Sequence, residues 1–121
     1  MSNQTNPLEL SQQQTQQYIQ LYQQYDQYHN LMQQNKSQFD ESIEKMKTQN
    51  PKNFEVWYYQ FQQYIQFKQM YHLMTSNKQQ YDEWLEKMKK QNPKTFDMTM
   101  QQFKQFQNIQ KIRQEQMKQL N

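Results

Sequence analysis

The chain is 121 residues long, with a formal net charge of +3 and a mean hydropathy of −1.46, and it has no Gly, no Cys, three Pro and a single Val. The missing Cys excludes disulfide frameworks, thiolate zinc sites and Cys nucleophiles, and the missing Gly excludes a glycine-rich phosphate loop. Scarce turn formers and β-branched residues also disfavour hairpins and sheets, so composition predicts an all-α fold.

Gln is by far the commonest residue, as in low-complexity tracts. Against that stand seven Phe, nine Tyr, two Trp and nine Met, which recur at helical spacing and supply a core. A flexible segment is expected over 1–15, with its Gln-rich runs, and a single helical domain over 16–121. With no apolar signal core, Arg-rich presequence, lipidation motif or bilayer-length apolar run, the expectation is an intracellular protein without membrane insertion. Nucleus, cytoplasm and cytoskeleton are left open.

The first helix is predicted over 11–34, where Tyr18, Tyr22, Tyr25, His29 and Met32 alternate at spacings of four and three. A shorter helix over 37–49 follows a cap at Asn35 or Ser37. Phe39, Ile43 and Met46 share its face, and Asp40, Glu41 and Glu44 read as first-turn charges matched to the helix dipole. It ends at Asn50, because proline disfavours helical geometry in the residue before it. The third helix, over 53–75, is the most hydrophobic and carries Trp57, Phe61, Tyr64, Phe67, Tyr71 and Met74. Ser76 and Asn77 close it and cap a fourth over 78–91, in which Tyr81, Trp84, Leu85 and Met88 face inward before Asn92-Pro93. A fifth, over 95–118, places Phe96, Met100, Phe103, Phe106, Ile109 and Ile112 on one side. Trp57, Phe61, Tyr64, Trp84 and Phe103 are the predicted centre of the core.

The stretch from Phe39 to Glu55 returns as Tyr81 to Asp97, an offset of 42 residues. Such a repeat is a supersecondary unit that buries its apolar face by stacking on its neighbours. Short connections then predict about five helices arranged as antiparallel hairpins. At Asn50-Pro51-Lys52-Asn53-Phe54-Glu55-Val56-Trp57 the chain resembles the helical hairpin repeats of the tetratricopeptide superfamily, most closely those of protein prenyltransferase alpha subunits. The second copy keeps Asn92-Pro93-Lys94-Thr95-Phe96 but has Thr99 in place of Trp, and the first has Gln60 where that family has Arg. The resemblance implies hairpin geometry. In the prenyltransferase, the motif's Lys lies near the isoprenoid diphosphate, a place that would fall to Lys52 or Lys94.

His29 and His72 lie in aromatic faces and read as packed histidines, without metal-ligand spacing. The repeated carboxylates read as helix charges, not as an acid and base pair. No catalytic, cofactor-binding or metal-binding residue is expected, and the chain is read as no enzyme. Residues 1–77 hold five Lys against six acids, a balance of −1, whereas 78–121 hold nine Lys and Arg against five acids, a balance of +4. Lys87, Lys89, Lys90, Lys94, Lys104, Lys111 and Arg113 therefore form a candidate partner-binding basic patch. The expected function is a non-catalytic helical adaptor or small structural subunit of a larger intracellular assembly, meeting an acidic protein surface. The alternative is a basic DNA/RNA-binding subunit of a nuclear complex, for which one Arg is a low supply for base reading. An accessory prenyltransferase-like chain is a third reading.

Overall fold

A computed structural model describes residues 10–119 as five helices: α1 (Gln12–Gln34), α2 (Lys36–Gln49), α3 (Pro51–Ser76), α4 (Lys78–Gln91) and α5 (Phe96–Gln119). The fold is all-α, with each helix within two residues of its expected bounds. Of the segment expected to be flexible, Met1–Glu9 lies outside the described residues, while α1 opens at Gln12. Its start is a reciprocal capping box: the Ser11 hydroxyl accepts from the Gln14 amide at 3.1 Å, and the Gln14 side chain accepts from the Ser11 amide at 3.0 Å. The polar end of α5 continues helical past Arg113 to Gln119.

Lacking Gly, the chain cannot end helices cheaply on a left-handed residue. It uses Asn in an extended conformation instead, and among the described residues no backbone has positive φ. Asn35 and Asn77 share φ of −150° with ψ of 83° and 84°, and each side chain accepts the amide three residues on, from Gln38 and Gln80. Each joint serves two helices. The Asn35 amide donates to the Leu31 carbonyl of α1 while its own carbonyl accepts from Phe39 of α2, and Asn77 bonds in the same way to Leu73 and Tyr81. Asn50 closes α2 on Met46 and accepts from Phe54 in α3. Pro51 is thus the first residue of α3, earlier than expected, because a first-turn position needs no amide donor. At the other proline the carbonyl of Asn92 bonds to Thr95, so Pro93–Thr95 form a turn before α5.

One expectation needs correction. Asp40, Glu41 and their counterparts Asp82 and Glu83 are not first-turn charges, because α2 and α4 begin at Lys36 and Lys78. Lys stands at both helix starts, so these acids lie beyond the turn where the dipole acts most strongly.

The chain divides into two compact units, one of residues 20–68 and one that joins 69–121 to the segment before Gln20. In the first, Tyr22, Tyr25, Phe39, Phe61, Tyr64 and Phe67 are buried, and in the second Ile19, Met70, Tyr81, Phe103, Phe106 and Ile109. These positions recur at the sequence offset. Ile19, Phe61 and Phe103 are 4%, 1% and 0% exposed, and Tyr22, Tyr64 and Phe106 follow them, as do Tyr25, Phe67 and Ile109. Contacts recur as well. Phe39 and Phe61 have centroids 6.2 Å apart at 34°, and Tyr81 and Phe103 6.3 Å apart at 39°.

Of the five core residues read from sequence, Phe61, Tyr64 and Phe103 are buried, whereas Trp57 and Trp84 are half-buried. Trp57 stacks on Phe61 with centroids 5.2 Å apart and meets the edges of Tyr25 and Tyr28. Its indole N–H must keep a polar partner, and it reaches out to Gln24 Oε1 at 3.5 Å. The indole flanks the core instead of filling it.

Candidate functional site

Within the unit of residues 20–68, α1 and α3 bring four polar side chains together. Asp26 Oδ1 accepts from the Tyr64 hydroxyl at 2.6 Å and from Lys68 Nζ at 3.1 Å. Lys68 Nζ also lies 3.2 Å from His29 Nδ1 and 5.5 Å from the centroid of the Tyr64 ring. Helical spacing explains the convergence. Asp26 and His29 are three apart on α1, Tyr64 and Lys68 four apart on α3, and each pair therefore shares a face. Because an ammonium donates and never accepts, Nδ1 of His29 must be the unprotonated ring nitrogen, which leaves the proton on Nε2. Burial, and next the Lys68 charge, hold the His29 pKa below the usual imidazole value against the opposing pull of Asp26.

This cluster was only half legible. Asp26 is visible in the sequence as the acid three residues before His29, but its partners lie on another helix. The one signal was the offset, since Asp26 and Lys68 are 42 residues apart. His72, the other histidine, is exposed and lies outside the cluster.

Lys87, Lys89, Lys90, Lys94, Lys104 and Lys111 are exposed, and Arg113 is half-buried, donating to Gln110 Oε1 at 2.7 Å. Lys89 Nζ lies 6.0 Å over the Phe96 ring, a cation and aromatic contact. Lys87 and Lys90 line an open groove along α4 together with Lys78, Asp82, Glu83 and Glu86. Glu83 with Lys87 and Glu86 with Lys90 are four apart, a spacing at which opposite charges on a helix are neighbours. Lys52 and Lys94, the positions that the prenyltransferase resemblance singles out, are both exposed.

Apolar surface is the other distinctive feature. Val56 and Tyr59, three apart on α3, are 59% and 65% exposed, and Met98 is exposed on α5. Val56 and Met98 occupy the same place relative to Asn50-Pro51 and Asn92-Pro93.

Among the described residues no group of three or more His, Cys, Asp or Glu could hold a metal ion, and no helix is long and apolar enough to cross a membrane. No family model, no curated protein and no solved structure matches the chain.

Proposed function

We propose that the protein is a non-catalytic helical adaptor, or a small structural subunit of a larger assembly, built on a tandem repeat of a long and a short helix. The observation that carries this reading is the outer side of α3. Phe61 and Tyr64 are buried while Val56 and Tyr59, turned away from them in the same stretch of the helix, stand in solvent. A helix apolar on more than one side fits a protein that a partner covers. The recurrence of buried positions at 42 residues supports the repeat, because stacked units reuse the same interior places. Acids that line the same groove as Lys87 and Lys90 argue against the DNA/RNA-binding alternative, which needs a surface of one sign. They fit a protein interface in which the C-terminal lysines meet an acidic partner at the rim.

The test is affinity purification of the full chain from its native cells, alongside Val56→Gln with Tyr59→Gln and, separately, Lys87, Lys89, Lys90 and Lys94→Gln. A partner retained at moderate salt by the parent and lost by the apolar double variant, with helicity unchanged, supports the reading. Retention of every partner by both variants, or retention on DNA that falls steeply with salt, overturns it.

A further inference from the structure

The Asp26, His29, Tyr64 and Lys68 cluster is more than an ion pair, because one of its bonds exists in a single protonation state. Lys68 donates to His29 Nδ1 at 3.2 Å, and that bond requires a lone pair on Nδ1. Adding a proton there turns the acceptor into a donor facing a donor, with two positive charges at the same distance. No rearrangement of the ring in place restores the bond. His29 must swing away from Lys68, or Lys68 must leave Asp26.

We propose that this cluster is a proton-operated latch that holds α1 against α3 when His29 is neutral and loosens it when His29 is protonated. Among the described residues, the charged groups that act on His29 are Asp26 on its own helix and Lys68 on α3, and the Tyr64 hydroxyl joins the cluster through Asp26. Asp26 favours the imidazolium but is already engaged twice, by the Tyr64 hydroxyl and by Lys68. Its attraction is therefore shared, whereas the repulsion from Lys68 is direct. The cluster is only partly screened, since the Lys68 and Asp26 side chains are 32% and 29% exposed.

The sign follows from linkage. A histidine whose pKa is lowered in the folded state stabilises the fold above the unfolded imidazole pKa, about 6.5. That contribution is lost as pH falls through the lower folded value.

The experiment follows the two histidine ring signals of the full chain by NMR from pH 8 to pH 5, with amide hydrogen exchange of α1 over the same range. The expected result is a His29 midpoint shifted down from the ordinary imidazole value and a loss of amide protection in residues 20–30 as it titrates. Lys68→Met should move the His29 midpoint upward, and His29→Gln, which offers a non-titrating acceptor, should abolish the loss of protection between pH 7.5 and 5.5. The proposal is overturned if the parent keeps its α1 protection through the His29 titration, or if His29→Gln loses it as the parent does. The parent titration decides the matter even if a variant does not fold.

Discussion

Tyr22 and Tyr64 stand 42 residues apart in the chain and meet ring to ring, with centroids 4.7 Å apart at 48°. Two residues at the 42-residue offset are here direct neighbours in space. The same holds for Asp26 and Lys68, 3.1 Å apart, where the copies carry opposite charges.

Phe103 is fully buried in the unit that holds α4 and α5, and Phe103→Ala should destabilise the protein by about 3 to 5 kcal/mol. Trp57→Ala, at a half-buried flank, should cost less despite removing the larger side chain. Urea unfolding followed by circular dichroism ranks the two. An equal or reversed order would place Trp57 inside the core after all.

Tyr81 and Phe39 occupy corresponding places, and burial raises the Tyr81 pKa above its ordinary value. Tyr81→Phe installs the side chain that the other copy already carries and removes a hydroxyl that resists ionising. Its stability at neutral pH should stay within about 0.5 kcal/mol of the parent. A loss above about 2 kcal/mol would show that the two places are not equivalent.

Asn35 and Asn77 cap α2 and α4 with the same side-chain bond. Asn35→Ala and Asn77→Ala should each cost about 1 kcal/mol. In thermal melts that is a fall of about 4 °C or somewhat more for a chain of this size. If the double variant melts like the parent, the Asn joints are incidental to stability.

Asp26→Asn keeps an acceptor oxygen but removes the charge that strengthens the bonds from Tyr64 and Lys68. With both charged side chains about one-third exposed, solvent screening limits the loss to about 1 to 2 kcal/mol. Urea midpoints at pH 7.5 measure it. A variant as stable as the parent would mean that the carboxylate charge adds nothing to what a neutral amide oxygen offers the two donors.

Helix number and type were legible because the apolar residues keep a spacing of three and four, and because Asn-Pro punctuates the chain where no Gly is present. The place of α1 was harder to see. Its buried residues Ile19, Tyr22 and Tyr25 match Phe61, Tyr64 and Phe67 in burial but, apart from the Tyr pair, not in identity. Packing requires an apolar group of suitable size at each place, not a fixed residue. Size misled in the case of Trp57 and Trp84, since an indole carries a polar N–H that favours the margin of a core. The polar cluster was invisible for another reason. Its members lie on two helices, and pairing across helices is set by which faces meet, which periodicity alone does not state.

Asn35, Asn50 and Asn77 are joints of one residue each, whereas Asn92–Thr95 separates α4 from α5 by four. Proteases need several residues of unwound chain, and inserted segments need ends that a loop can splay apart. Between α1 and α4 neither is offered, so cutting or extending the backbone there means unwinding a helix first. The turn at Pro93–Thr95 is where the chain can be opened at least expense to its helices. Its exposed Lys94 makes it the place for limited trypsin digestion to part α5 from the rest, and for a reporter to be spliced in without disturbing the joints upstream.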